Sequence, residues 1–391
     1  MRLIFCLGLA SFASSVSLRA LDPMLPVVAA DLQVTLARAA LLASAYSFPY
    51  ALMQVVLGPA ADAVGKVKLI CLSLAGVVIG STICAVAPGF ESVLAGRIVA
   101  GGCAGGIIPV AFALIGDRVP YAERHLALSR VLIISIAGHM TGGAGSGVLA
   151  AALGWRSVFA VAALIAAASL VVVFAFLRGE EDVARVRPTF LSAFIAYAAV
   201  LTDPLALVVV GAVMAEGVLF FGIFPFMAPL LGLHGSGGGS LAAGMALAAF
   251  ALGGIVYGVV ARRIFARLGQ FGMLRFGGLV AGLIYLMTAV PLPWMVICGL
   301  FLVAGFGFYN MHNTLQLRAT ELAPATRASA VALFAAAFFL GQGVGPVLGG
   351  VIGDTIGFTA LYAVAGVLIV GLGFATAHGV KRIDAERSVG V

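Results

Sequence analysis

The chain has 391 residues, of which 63% are hydrophobic and only 9% charged, and its mean hydropathy is +1.18. Soluble domains carry about 25% charged residues, so this composition cannot cover the surface of a soluble fold. The formal net charge of +7 does not point to a nucleic-acid partner, because the cations follow the loops, as set out below.

Apolar runs of about 20 residues recur along the whole length, each able to cross a bilayer core of about 30 Å as a helix. A membrane β-barrel would show short alternating segments instead. The expectation is therefore an all-α membrane protein, and the 51 glycines suit close helix packing in lipid. Predicted spans 1 to 6 cover 3–30, 38–60, 67–87, 91–115, 126–152 and 156–178. Spans 7 to 12 cover 204–230, 240–262, 271–292, 294–316, 327–352 and 358–378. The N-terminus, with Arg2 and an apolar run, resembles a signal peptide. The apolar pattern continues through Val27–Ala30, so it is read as span 1.

Between spans 6 and 7 lies the densest charged run of the chain, Arg178–Pro188. It reads as a water-exposed hinge and divides the chain into a six-helix bundle at 1–178, a cytoplasmic linker at 179–203, and a second bundle with a short tail at 204–391. With both termini on the cytoplasmic side, the inner loops and tails hold 18 of the 22 cations, and only Arg38 and Arg156 fall outside. Arg19 and Arg97 lie within spans. Short-loop Lys and Arg set orientation, so a multi-pass protein of the cell (inner) membrane with both termini cytoplasmic is expected.

The two halves repeat at an offset of 203 residues. Arg124 matches Arg327, Gly138 matches Gly341, Gly142 matches Gly345, and Met24 and Pro26 match Met227 and Pro229. Six spans return the chain to its starting side, so the repeats are parallel and related by an axis along the membrane normal.

After span 2 the chain reads Gly58-Pro59-Ala60-Ala61-Asp62-Ala63-Val64-Gly65-Lys66-Val67-Lys68. Asp62 sits at the inner surface, where it can pair with a cation, and Gly65 permits a tight turn. This loop resembles the signature of the major facilitator superfamily, Gly-x-x-x-Asp-(Arg/Lys)-x-Gly-(Arg/Lys), with Ala63 where an Arg is usual. Arg97 with Gly101 and Gly105 resembles that family's span-4 motif, with Ala100 replacing the usual Gln. Gly138–Gly147 resembles the Gly-rich motif of its drug- or sugar-efflux-like, drug:proton antiporter branch. The usual Gly-Pro pair reads Gly142-Gly143 there, while span 11 keeps Gly345-Pro346. The resemblance implies two pseudo-symmetric six-helix bundles and alternating access around a central cavity. It assigns Gly58, Asp62, Gly65, Lys66, Arg124, Gly138, Gly142, Gly345 and Pro346 to gating.

A charge at mid-bilayer costs at least about 2.5–3.5 kcal/mol and marks a pathway by default. Glu216, near the middle of span 7, is the first candidate for proton coupling, against a neutral Glu hydrogen-bonded between helices. Arg19 and Asp22 lie three residues apart on one helix face, beside Pro23 and Pro26. They read as a gate or substrate contact, or as a structural ion pair. Arg97 can bind an anion, tune a nearby carboxylate, or snorkel. Asp22, Arg97 and His139 of span 5 are further coupling candidates, His139 against a plain helix-to-helix hydrogen bond. In span 10, His312, Asn313 and Gln316 with Asn310 form a polar cluster that can line a cavity. Phe220, Phe221, Phe224 and Phe226 read as packing. The five cysteines show no metal or disulfide spacing, and no catalytic arrangement stands out.

The expectation is a non-enzymatic secondary transporter without cofactor or metal, acting as a monomer in a lipid bilayer. Its partners are a small-molecule substrate and protons, with no nucleic acid, and it works by proton-coupled efflux. Import by a symporter or uniporter stays open, as does a non-transporting membrane receptor.

Overall fold

The structure is a computed structural model and describes residues 1–179, 190–322 and 327–389; the side chains of residues 57–59, 62–63, 121, 125, 190–194, 196, 327–328 and 388–389 are not among those described. The charged run at 180–188, with Arg185 and Arg187, and the side chains of Asp62 and Arg327 therefore lie outside the described residues, as does Gly58 beyond its place in a helix. Every regular element among the described residues is helical.

Among the described residues, eleven helices are long and apolar enough to span a membrane. One of them, Gly239–Met287, has 49 residues, which as a straight helix would reach about 74 Å, more than twice the hydrocarbon core. It turns at Gly269, whose φ of 59° and ψ of 179° are non-helical and in a region that L side chains rarely adopt. Residues 239–268 and 270–287 are thus spans 8 and 9, and the fold has twelve spans in all. The remaining spans are Arg2–Asp31, Leu36–Val64, Lys66–Val86, Phe90–Arg118, 121–153 and Trp155–Leu177 in the first half. In the second they are Pro204–Leu233, Trp294–Ala319, Arg327–Ile356 and Phe358–Val389. The segment before span 7 contains a further helix, Phe190–Leu201. It leans on span 2, where the Tyr197 hydroxyl donates to the Val55 carbonyl at 3.4 Å. Asp203 then caps span 7 by accepting from the Leu205 amide at 2.9 Å, a position that favours a short acidic side chain.

The repeat read at an offset of 203 residues is also a packing repeat. A Cβ on Gly138 would lie 2.7 Å from the Phe12 carbonyl oxygen, and one on Gly142 would lie 2.7 Å from that of Val16. Span 5 is therefore pressed onto span 1 backbone to backbone. Their counterparts press span 11 onto span 7 in the same way: a Cβ on Gly341 would collide with the Met214 carbonyl, and one on Gly345 with the Cα of Gly222. Small residues at four-residue spacing permit this contact in lipid. Gly101 and Gly105 of span 4 likewise meet the carbonyls of Tyr46 and Tyr50 in span 2.

Four spans are interrupted among the described residues, span 4 by a turn at Gly105–Gly106 between Phe90–Ala104 and Ile107–Arg118. Span 1 is helical over Arg2–Arg19, forms a 3-10 turn at Asp22–Met24, and resumes over Leu25–Asp31. Pro23 and Pro26 withhold the amides that a continuous helix would need. Span 7 runs to Glu216, widens into a π turn at Gly217–Phe221, and forms a 3-10 turn at Phe224–Phe226 around Pro225. Span 5 carries a π turn at Thr141–Gly145. Such turns inside α-helices are frequent at functional sites.

The halves meet closely at the end of the molecule opposite Met1, termed here the far face. A Cβ on Gly147 would collide with the Ser240 carbonyl, one on Gly244 would lie 2.6 Å from the Gly143 carbonyl, and one on Gly350 would lie 2.8 Å from the Ala37 Cα. One apolar core fills the second half and continues into the far-face ends of spans 1, 2 and 6 through Leu25, Leu42 and Trp155. A second core serves the rest of the first half.

Because Gly341 faces backbone, Gly341→Val is expected to destabilise the purified protein by about 1–3 kcal/mol, the usual range for overpacking. Gly371 has nothing within 4 Å of a Cβ, so Gly371→Ala should be neutral or stabilising by up to about 1 kcal/mol. Paired thermal melts of the two variants check this.

Candidate functional site

The buried polar groups of the spans collect at the breaks in spans 1 and 7. Arg19 is 7% exposed and Asp22 3% exposed. The guanidinium donates from Nη1 to Asp22 Oδ2 at 3.2 Å and from Nη2 to Oε1 of Gln342 in span 11. It also lies over the rings of Phe221, at 4.5 Å, and Phe224, at 5.6 Å, in span 7. Cation–π contacts of this kind gain when desolvated. Arg19 thus belongs to one half of the chain and has two of its three kinds of contact in the other. The amide nitrogen of Gln342 has no hydrogen-bond partner among the described residues.

Glu216 is fully buried at the last helical residue before the π turn of span 7. Its Oε2 is 2.8 Å from Nδ1 of His312 in span 10, and its Oε1 has no partner among the described residues. The imidazole stacks near Phe308 and Phe338, with centroids 5.0 and 4.7 Å away. Two residues proposed separately from sequence, one for coupling and one for the cavity, are in fact one pair. The π turn connects them to the arginine: Phe221 is five residues after Glu216 and carries its ring onto Arg19.

Arg97 is 2% exposed. It donates from Nε to the Leu42 carbonyl at 3.1 Å and from Nη1 to the Ser17 carbonyl at 3.0 Å, with Tyr46 beneath it at 4.3 Å. It joins spans 1, 2 and 4 through backbone acceptors. The second half answers the same need differently. Phe220, 203 residues after Ser17, receives its hydrogen bond from the Tyr285 hydroxyl at 3.3 Å. The Tyr362 hydroxyl supplies the Ile223 carbonyl at 3.1 Å.

His139 is half-buried in span 5 and makes no hydrogen bond among the described residues, though it lies within electrostatic reach of Arg19. The polar run of span 10 is divided. Asn310 is buried and donates to the Phe306 carbonyl at 2.7 Å, Asn313 is half-buried near Tyr257, and Gln316 is exposed. After span 2, Gly65 turns the chain with φ 99° and Lys66 pairs with Asp117 at 2.8 Å. Arg124 donates to the Val119 carbonyl at 2.9 Å, and Pro346 sits inside the span-11 helix.

Sequence reasoning missed Gln342, Tyr285 and Tyr362. Gln342 carried a signal, being a polar residue flanked by Gly341 and Gly343 in an apolar span. The tyrosines carried none, since aromatic residues are ordinary in such helices.

Two bundles of six helices, broken spans at their seam and buried charges at the breaks define a polytopic membrane protein built to pass small molecules. Residues 7–328 match the Major Facilitator Superfamily, so the chain belongs to that superfamily and is a membrane transporter. The MFS-type transporter YceJ of Bacillus subtilis is 26% identical over 364 residues, covering 87% of this chain and 88% of that protein. The fatty acid resistance protein FarB of Neisseria gonorrhoeae is 31% identical over 141 residues, 35% of this chain and 28% of FarB. The probable actinorhodin transporter of Streptomyces coelicolor is 32% identical over 169 residues, 42% of this chain and 29% of that protein. In fold, a POT family transporter solved with 5-aminolevulinic acid superposes with a TM-score of 0.78 at 13% identity, over 97% of this chain and 96% of that one. An inward-facing bacterial homologue of the lysosomal transporter Spinster gives 0.70 at 18% identity, over 97% of each chain.

Removing the Arg97 guanidinium takes the side-chain donor from the buried Ser17 carbonyl, at the end of the first helical segment of span 1, and the cation from its contact with the Tyr46 ring, each loss costing about 1 kcal/mol or more. Arg97→Met should therefore destabilise the protein by about 2 kcal/mol or more. Tyr285→Phe, which removes one hydrogen bond, should cost about half as much. Thermal denaturation in a fixed detergent checks the order.

Proposed function

We propose that this transporter exports a small organic molecule in exchange for protons, by alternating access of its two halves. The observation that carries the reading is the Glu216–His312 pair: a fully buried carboxyl with one oxygen on an imidazole and the other bare. The bare oxygen is a place where a proton can add without displacing a hydrogen bond. The pair can also move its shared proton between Oε2 and Nδ1 over 2.8 Å. Intramembrane carboxylate and histidine groups are the usual material of proton relays.

Coupling needs the proton to bias two arrangements of the halves differently. Glu216 is placed to do so because it opens the π turn whose other end, Phe221, rests on Arg19 of the opposite half. Gly217, the next residue, meets the backbone of Phe338 and Gln342 in span 11. A change in charge at Glu216 therefore acts on a hinge in span 7 and, through it, on the seam that Arg19 spans. The names of FarB, a fatty acid resistance protein, and of the probable actinorhodin transporter support export as the direction. The loop asymmetry of Lys and Arg supports an inner-membrane setting with both termini cytoplasmic.

The test starts with cells expressing the protein and a panel of hydrophobic biocides, to find a compound to which expression confers resistance. In proteoliposomes, that compound should be expelled when an inward proton gradient is imposed. Glu216→Gln should abolish gradient-driven efflux while keeping gradient-free exchange of the compound across the membrane. Gradient-driven efflux that survives Glu216→Gln at the wild-type rate would refute the assignment.

A further inference from the structure

Charge is out of balance around Arg19. Among the described residues, the buried ionisable side chains near the breaks in spans 1 and 7 are Arg19, Arg97, Asp22 and Glu216. Asp22 is within electrostatic reach of both arginines, whereas the partner of Glu216 is His312. One carboxylate thus faces two guanidinium groups, and a local excess of one positive charge sits inside the membrane. Arg97 is held by two backbone carbonyls, which are dipoles and not counter-ions. A buried charge without an ionic partner is expensive, and an arginine at such a place is suited to a planar anion that accepts two parallel hydrogen bonds.

A second observation points the same way. Gln342 is 3% exposed, its carbonyl oxygen accepts from Arg19, and its amide nitrogen has no acceptor. An unmet buried donor costs about 1–3 kcal/mol. The guanidinium and the amide are thus neighbouring donors from opposite halves, joined through the Gln342 carbonyl oxygen. Beside them the lining is aromatic: Phe221 and Phe224 lie against the guanidinium, and Phe250 and Phe308 pack onto Phe221 at 5.6 and 5.0 Å.

Building on the transport reading above, we infer that the substrate is an amphipathic organic monocarboxylate. Its carboxylate binds to Arg19 and the Gln342 amide, and its apolar body lies against the phenylalanines of spans 7, 8 and 10. The anion takes the place that the Gln342 carbonyl oxygen holds in this structure and supplies the missing negative charge. Because Arg19 and Gln342 come from opposite halves, the anion is clasped at the seam where access alternates.

The probes are decanoate, decylamine and decan-1-ol, which share an apolar chain and differ in head group. Each is titrated against the purified full chain in lipid nanodiscs, with thermal stability as the readout. No pH gradient is present, so binding is measured whether or not Glu216 couples protons. Decanoate should raise the melting temperature in a saturable way and the other two should not. Arg19→Gln should weaken decanoate binding about tenfold or more, which is at least about 1.4 kcal/mol. Gln342→Glu places a carboxylate on Arg19 from within the chain. It should fold at least as stably as wild type and lose the decanoate shift, so it decides the matter even if Arg19→Gln fails to fold. Equal stabilisation by decylamine, or a decanoate shift that survives Gln342→Glu, would overturn the inference.

Discussion

A guanidinium buried between two halves of a membrane protein must find its partners where it stands, and Arg19 finds them in both. Asp22 lies on its own span, Gln342 on span 11, and two phenylalanine rings on span 7. A guanidinium so buried draws on protein partners, and those of Arg19 tie the two halves to each other. The breaks in spans 1 and 7 exist at the same depth for the same reason: prolines and a π turn free the backbone there and bring the polar groups to one point. The charge at Arg19 therefore connects local helix chemistry to the relative placement of the bundles.

The internal repeat shows what was kept and what was altered when one bundle became two. Backbone contacts through Gly138 and Gly142 recur through Gly341 and Gly345, because a glycine at a crossing can be replaced only by moving a helix. The hydrogen bond to the carbonyl at Ser17 recurs at Phe220, but the donor is an arginine in one half and a tyrosine in the other. Geometry is thus symmetric where helices cross, and charge is not. The first half carries the cations and Asp22, and the second carries the carboxyl–imidazole pair. That division places the Glu216–His312 pair and the Arg19 cation on opposite sides of one seam, joined by a single turn of span 7.

The bilayer made most of the fold legible from sequence. A span must be apolar for about 20 residues, so the runs could be placed, although the helices of spans 8 and 12 continue to residues 268 and 389, past the expected ends at 262 and 378. The stretch Gly239–Met287 is legible as two spans because Arg262, Arg263 and Arg267 part its two apolar runs. The site was legible only in its parts. Glu216 and His312 stood out as polar residues on apolar helices, yet their contact spans 96 residues, and nothing local to either marks it. Asn310, Asn313 and Gln316 share a helical face by spacing but differ in depth, from buried to exposed, because toward its end the helix packs inward through Leu315 and Ala319 and turns Gln316 outward. Gln342 was overlooked because it is neutral, although its partner makes it central.

The most direct measurement is the separation of the halves at the far face when Arg19 is changed. Spin labels at Leu153 and Leu233, which are exposed ends of spans 5 and 7, report it by pulsed dipolar spectroscopy once the five native cysteines have been replaced. If Arg19 holds the seam, Arg19→Ala shifts the distance distribution toward longer separations, and Gln342→Glu narrows it at the short distance. An identical distribution in wild type and both variants would show that the far face closes without Arg19 and would contradict the account.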